Sequence, residues 1–550
     1  MVNITYGLIS APDGTTAGSV VISPNGTDMI VTWGQGGNGQ VAVYNPGDMA
    51  WIMTCTALVW IMIPGLGYLY SGLTRRKNAL HMLILTLASL AVTSIQWFFW
   101  GYSLSFSSTG GLVIGNLRNI GFKDVLQDPV LASNNKLPEI IYAMYECMFA
   151  ALVPAIALGA ACERGRVWPF LVLTFVWTTL VFDFLACMVW NPTGWAFKLG
   201  VLDYAGGGPV EIASGTAGLV ISYYLGPRRG YGTERLLFKP HNVSHVVLGT
   251  AFLWMGWLGF NGGSTFAANL RAGMSLMTTN IAGSAGGLTW MALDYRLERK
   301  WSVVGFCTGA IAGLVAITPA AGFVGVPASV LIGVAAAGLS NLATELKVFI
   351  RCDDVMDIFA CHALSGVVGL FLTGIFAQAS VANNDGYLVI PGGWLDGNWI
   401  QLAKQLAWIA VSLGWTAVMT YISMFIVDHL PFVGPFRCSE LGEIVGVDEE
   451  QCGEFAYDYA FINRDLEGNC EPHHLNGDLL NEKDPISAAE KLAQNGGAAS
   501  HSGDSESSPA HAGGSGAHDS SVIEPVAQPG STGVRGGHAE PGATGPAPSG

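Results

Sequence analysis

The sequence predicts an all-α polytopic membrane protein with about eleven transmembrane helices, a five-plus-five inverted repeat plus one further helix. Three observations carry this prediction. The 550 residues are 51% hydrophobic and only 12% charged, whereas a soluble globular protein carries about 25% charged residues. Between residues 48 and 429 the apolar residues gather into long runs bounded by short polar stretches. Lys and Arg concentrate in alternate loops between those runs.

A helix needs roughly 20 apolar residues to cross a bilayer core. Runs of suitable length lie at 51–70, 81–106, 140–161, 167–190, 209–225, 242–262, 273–293, 302–319, 322–345, 355–378 and 403–428. The eighth and ninth nearly merge around 318–325. One set of alternate loops carries fourteen Lys and Arg residues and the other six. The richer side is expected to be cytoplasmic. That places the N-terminus outside and the C-terminus inside, as an odd span count requires.

Four regions follow along the chain. Residues 1–47 read as an extracellular lead, Gly- and Asn-rich, without Lys or Arg. The lead holds two glycosylation sequons, at Asn3 and Asn25. No basic n-region precedes the first apolar run, so a cleaved signal peptide is not expected. Residues 48–429 form the membrane domain. Residues 430–482 read as a structured cytosolic tail, with aromatic residues such as Phe455 and Tyr457. Residues 483–550 are Gly-, Ser-, Ala- and Pro-rich and are expected to be disordered, because they cannot bury enough apolar surface to offset chain entropy. The net charge of −15 comes largely from the tail and says little about a partner. Six of the ten cysteines fall within spans or at their ends. No C-x-x-C spacing appears, so they read as unpaired small apolar residues rather than metal ligands.

The membrane domain contains a weak internal repeat, with chance similarity between two Gly-rich helices as the alternative. Glu211-Ile-Ala-Ser214-Gly215-Thr-Ala-Gly218-Leu219 aligns with His362-Ala-Leu-Ser365-Gly366-Val-Val-Gly369-Leu370. Eight residues before each leading polar residue stands an aspartate, Asp203 or Asp354. The copies fall in predicted spans five and ten, and an odd number of spans per repeat inverts the second copy. Inverted repeats place sites near the midplane where the halves meet. Small residues in both copies let the two helices approach closely.

An ionisable side chain within a span costs about 2.5–3.5 kcal/mol on insertion scales and usually faces a cavity or a partner. Glu211 and His362 stand at equivalent positions in the two copies. A two-fold arrangement brings them together, where a carboxylate and an imidazole can pass a proton. The alternative is two unrelated helix-end groups satisfied by backbone. Asp183 lies within span four and Glu146 near the start of span three. Asp203, Asp353, Asp354 and Asp357 stand at span ends, where helix capping is the default explanation. Phe149, Trp190 and Phe260, taken singly, read as lipid-interface anchors.

Asp203-Tyr-Ala-Gly-Gly-Gly-Pro-Val-Glu211 and Asp353-Asp354-Val-Met-Asp357-Ile-Phe-Ala-Cys-His362 resemble signature segments of the ammonium transporter (Amt/Mep/Rh) family. So do Gly65-Leu-Gly-Tyr-Leu-Tyr-Ser-Gly72, Trp257-Leu-Gly-Phe260-Asn-Gly-Gly-Ser264, and Gly446-Val-Asp448 followed by Gly453-Glu-Phe-Ala-Tyr457. The resemblance runs from about residue 48 to 460. It implies eleven helices, N-out and C-in, in a homotrimer with one pore per subunit. It implies that Phe149 and Phe260 are the stacked phenylalanines gating the outer vestibule. It implies that Trp190 and Ser264 recruit the cation there. His362 matches the second of two pore histidines, and Glu211 stands where the first is expected, as in a subgroup of fungal Mep permeases. Glu146 stands where many members have glutamine. It lies one helical turn before Phe149, on the face from which it could draw cations to the vestibule.

The function so implied is uptake of ammonium and methylammonium across the plasma membrane, with the cation deprotonated near Glu211 and His362. No cofactor, metal or nucleic-acid partner is expected, and no enzyme activity. Expected partners are the bilayer, two further copies of the chain and cytosolic regulators of the tail. A Rh-like gas channel and a sensor signalling through its tail are the alternatives. An intramembrane enzyme would need a nucleophile and a base on adjacent helices, and no such set stands out.

Overall fold

Helices occupy each of the eleven segments that the apolar runs predict. The computed structural model describes residues 5–10, 16–22, 30–33, 41–231 and 240–457. The helices are α1 (Pro46–Leu73), α2 (Arg76–Phe106), α3 (Glu139–Ala161) and α4 (Val167–Leu199). Next comes α5, a π turn at Gly207–Ile212 running into Ala213–Leu225. Then follow α6 (Val243–Gly263), α7 (Leu270–Glu298), α8 (Val303–Ile317) and α9 (Val326–Phe349). The last two are α10 (Phe359–Phe376) and α11 (Ile400–Asp428). Among the described residues, eight of these are long and apolar enough to cross a membrane, the exceptions being α5, α7 and α8. The last of these is apolar but spans only 15 residues.

The lead departs from an all-α reading. It carries two antiparallel strand pairs, β1 (Thr5–Ser10) with β2 (Thr16–Ile22), and β3 (Ile30–Trp33) with β4 (Val41–Tyr44). Short β-branched runs such as Val20-Val21-Ile22 and Ile30-Val31-Thr32 favour strands. Asn45 then caps α1 by accepting the Gly47 N–H at 2.7 Å, and Pro46 sits at the first helical position. The first helix therefore begins five residues before the apolar run at 51–70. Asn3 and Asn25 lie outside the described residues, as do residues 458–550, which include the predicted disordered segment and part of the predicted structured tail.

Close backbone contact holds the first and sixth helices together. A Cβ on Gly249 would lie 2.5 Å from the Gly65 carbonyl oxygen, and one on Gly72 would lie 2.6 Å from that of Asn242. The glycines of the Gly65–Gly72 motif thus serve packing of the small-residue kind seen within membranes. The nearly merged runs around 318–325 are separated by a tight turn. A Cβ on Gly322 there would strike the Tyr204 ring at 2.3 Å.

The described part of the tail docks against helix ends. Asp448 accepts the backbone N–H of Leu80 and His81 at 3.0 and 2.7 Å, capping the first turns of α2. Asn78 accepts the Val447 N–H at 2.9 Å, and Lys77 donates to the carbonyls of Glu443 and Ile444. The Tyr457 hydroxyl accepts from Asn242 at 3.0 Å, just ahead of α6.

Candidate functional site

The repeated segments of α5 and α10 meet in the centre of the bundle. Each begins with a π turn, Gly207–Ile212 and Phe359–Leu364, and these turns carry Glu211 and His362. π turns inside helices frequently mark functional positions. The aspartates upstream anchor both turns. Asp203 accepts the N–H groups of Gly206, Gly207 and Gly208, while Asp354 accepts that of Phe359 at 2.9 Å. The indole of Trp408 donates to Asp203 Oδ2 at 2.9 Å, a partner that sequence spacing does not reveal.

Capping explains Asp203 and Asp354 but not their neighbours. Asp353 instead binds Arg228 in a two-pronged contact, Nε to Oδ2 at 2.7 Å and Nη2 to Oδ1 at 2.8 Å. Asp357 pairs with Lys347 at 2.6 Å. Asp183, fully buried in α4, is satisfied by Gln96 and Ser105 and lies outside the cavity described below.

The crossing of α5 and α10 is close and reciprocal. A Cβ on Gly215 would lie 2.2 Å from the Ala363 backbone nitrogen, and one on Gly366 would lie 2.9 Å from Glu211 Cβ. Glycine at these positions lets the helices approach until Glu211 Oε2 lies 2.9 Å from His362 Nδ1. Glu211 is 0% exposed and His362 6%. The second carboxylate oxygen of Glu211 is buried and has no hydrogen-bond partner among the described residues. The pair can hold a proton between carboxylate and imidazole while one acceptor remains open to a cation or proton carrier.

Two aromatic rings lie at one end of this bundle. Phe149 and Phe260 stack with centroids 4.0 Å apart and planes at 22°, both fully buried. Trp190 meets Phe149 edge to face at 6.0 Å, and its indole N–H donates to the Asp203 carbonyl at 3.1 Å. That bond fixes the ring, which lines a cavity. Ser264 follows the last residue of α6 and donates to the Phe260 carbonyl at 2.8 Å, keeping oxygen lone pairs available. The Tyr145 hydroxyl donates to the same carbonyl at 2.7 Å. Trp190, Ser264, Phe149, Glu146 and Asp203 line one cavity of about 230 Å³. Glu146 is buried, and one of its carboxylate oxygens lacks a partner among the described residues.

A second cavity, about 460 Å³, opens at the opposite ends of the helices, among Thr74, Glu163, Arg228, Lys347 and Asp353. Its wall holds an ion network that sequence reading missed. Glu163 binds Arg75 at 2.7 Å and Arg228 at 3.0 Å, and Arg228 bridges on to Asp353. The participants are far apart in sequence and lie in loops, so neither periodicity nor local motif joins them.

The chain is 50% identical over 422 residues to ammonium transporter 2 of Schizosaccharomyces pombe, covering 76% of this chain and 82% of the relative. It is 47% identical over 436 residues to the ammonium transporter MEP2 of Saccharomyces cerevisiae, covering 77% and 87%. The crystal structure of Saccharomyces cerevisiae Mep2 superposes with a TM-score of 0.70 at 46% identity, over 76% of this chain and 93% of that one. That of Candida albicans Mep2 gives 0.69 at 44% identity, over 72% and 87%. The pattern of the Ammonium Transporter Family matches residues 50–457. This chain is a polytopic membrane protein whose membrane domain is all-α, closely related to the fungal Mep permeases, and it belongs to the Ammonium Transporter Family.

Proposed function

We propose that this chain takes up ammonium and methylammonium across the plasma membrane through a pore centred on Glu211 and His362. The observation that carries the reading is the buried 2.9 Å contact between those side chains, in a bundle that also holds the Phe149–Phe260 stack. Two arginines, a lysine or a nucleophile in that place would have spoken for other chemistry. A carboxylate beside an imidazole suits a cation that must surrender a proton. The family is one of transporters, and no enzyme activity is assigned to the chain.

Recruitment is the role proposed for Trp190 and Ser264. An ammonium ion gains about 0.5–2 kcal/mol from an aromatic face, and the serine oxygen accepts one of its hydrogens. Phe149 and Phe260 form the gate beyond that site, and Glu146 adds a negative group to the vestibule. Asp203 supports the site by holding the π turn that carries Glu211. The same reading orients the subunit with eleven spans, N-terminus outside and C-terminus in the cytoplasm, and relates the two five-span halves by inversion. The reciprocal glycine contacts and the paired π turns support that relation. It also takes the functional protein as a homotrimer. Residues 1–47 form its extracellular, glycosylated lead. The membrane domain covers 48–429. The tail, 430–482, of which residues up to 457 are described, is the surface for cytosolic regulators.

The test is uptake of labelled methylammonium by cells that lack their own ammonium transporters, with growth on low ammonium as the second readout. Neither rescue nor uptake at normal surface abundance would reject the proposal. Within the same assay, Trp190→Leu is expected to raise the half-saturating concentration roughly two- to thirtyfold, the equivalent of the lost cation–π term. An unchanged value removes Trp190 from recruitment.

Glu211 gives a separate expectation. Glu211→His supplies a second imidazole and takes a potential negative charge from the pore centre. Transport is expected to persist with an altered pH profile, and Glu211→Ala is expected to cost more. Superimposable profiles for parent and both variants, normalised to surface protein, would take Glu211 out of the conduction path.

A further inference from the structure

The vestibule wall contains a fixed positive charge that neither the sequence motifs nor the proposed pathway accounts for. Arg271, in the first turn of α7, is 5% exposed and lines the same cavity as Trp190, Ser264 and Glu146. Its guanidinium lies 5.0 Å from the Tyr204 ring centroid and 4.9 Å from that of Phe323. Nε donates to the Gly322 carbonyl at 2.9 Å. A cation here opposes recruitment of another cation unless it is cancelled locally.

Asp385 cancels it. The Arg271 Nη1 donates to Asp385 Oδ2 at 3.0 Å, and both side chains are more than nine-tenths buried. The other carboxylate oxygen accepts the N–H groups of Tyr387 and Leu388, each at 2.8 Å. Those bonds fix the start of the segment 387–390, whose Leu388 and Ile390 face the cavity. Lys136 reinforces the segment from another loop, its ammonium 3.9 Å from the Tyr387 ring centroid. One carboxylate thus joins a charge in the wall to the backbone that covers it.

We infer that Asp385 is a positioning residue for cation recruitment, cancelling the Arg271 charge in the vestibule wall and holding Leu388 and Ile390 over the cation site. The inference rests on the ammonium reading and adds residues to it. It gives charge and geometry different signatures. Asp385→Asn leaves Arg271 unpaired and facing the cavity. Half-saturation for methylammonium then rises on the order of tenfold, the influence of one unit charge across roughly 10 Å at an effective dielectric near 20. The maximal rate per surface molecule stays close to that of the parent, because Glu211 and His362 are untouched. The double variant Arg271→Gln/Asp385→Asn removes the unpaired charge and recovers half-saturation toward the parent. Asp385→Glu keeps the charge and recovers it in part.

The experiment is concentration-dependent methylammonium uptake in transport-deficient cells, with surface protein quantified for every variant. A raised half-saturation in Asp385→Asn that the double variant relieves supports the inference. An unchanged value in Asp385→Asn overturns it, and so does a double variant as impaired as the single one. If Asp385→Asn fails to reach the surface, the double variant is still expected there with near-parental half-saturation, and its absence counts against the inference. Parental uptake in the same cells tests the ammonium reading separately, so the two can fail independently.

Discussion

Replacing His362 by alanine is expected to lower methylammonium uptake by about a hundredfold or more, the scale on which a positioned proton-transfer group contributes, while the protein still reaches the membrane. The geometry explains why so much rests on one ring. Glu211 is fully buried, and its sole described hydrogen-bond contact through the carboxylate is the 2.9 Å contact to His362 Nδ1. Without the imidazole, Oε2 also loses its partner, so neither oxygen of the buried carboxylate is paired among the described residues, and the proposed proton step loses its adjacent acceptor. The helix itself is spared. His362 sits in a π turn whose start is held by Asp354 through the Phe359 N–H, and Gly366 still packs against Glu211 Cβ. Uptake normalised to surface protein separates lost transport from lost folding. Parental uptake in His362→Ala would place the proton step elsewhere.

Much of the candidate site was legible because the repeated segments put their ionisable residues at matching offsets. Glu211 and His362 each stand eight residues after an aspartate and three before a Ser-Gly pair. A costly ionisable group recurring at the same place in two small-residue helices predicts contact, and the helices do bring the two together. The spans were legible for a simpler reason: a bilayer core demands uninterrupted apolar length. Length alone is weakest where packing rather than lipid dictates composition. Helices α5 and α7 carry glycines and hydroxyl residues because they lie against other helices, so they read less clearly than α4 or α11.

What escaped sequence reading is long-range or local in ways that hydropathy does not register. The strand pairs of the lead are short, and their β-branched runs are overshadowed by the Gly and Asn around them. Asp353 stands beside Asp354 and looks like a second cap, yet it turns to Arg228, 125 residues away. Trp408 could be read only as an apolar residue of the last span, although its indole N–H is what completes the donors around Asp203. In each case a polar atom finds a partner across the bundle, and nothing in local spacing says which.

The strongest stability effect is expected from Arg228→Ala. Arg228 bridges two carboxylates, Glu163 at 3.0 Å and Asp353 at 2.7 Å, and all three are at least nine-tenths buried. Burial by itself would raise both acids. For Glu163 the charges of Arg75 and Arg228 outweigh burial, and for Asp353 the Arg228 hydrogen bonds and charge, with Arg164, do the same; both are held below the usual carboxylate range. The sign follows from that depression. Both acids are ionised in the folded and denatured chain at neutral pH, where the full stabilisation is present. It is lost as pH falls from the ordinary carboxylate range, about 4, through the lower folded values, because the denatured chain then binds protons first. Removing Arg228 leaves the buried Asp353 without its principal partner and Glu163 with Arg75 as its remaining ion-pair partner, at a cost of about 3–5 kcal/mol. Arg228→Lys keeps the charge but not the two-pronged geometry, and should fall between parent and alanine. The consequence reaches the tail, since the Arg229 N–H next along the chain donates to Glu443 at 2.9 Å and Arg437 donates to the Leu225 and Pro227 carbonyls. Thermal unfolding of the detergent-solubilised protein measures the effect. The midpoint of Arg228→Ala should lie well below the parent at pH 7, and the gap should narrow as pH drops below about 4. A gap that is absent at pH 7, or that widens in acid, would show that the bridge does not supply this stability.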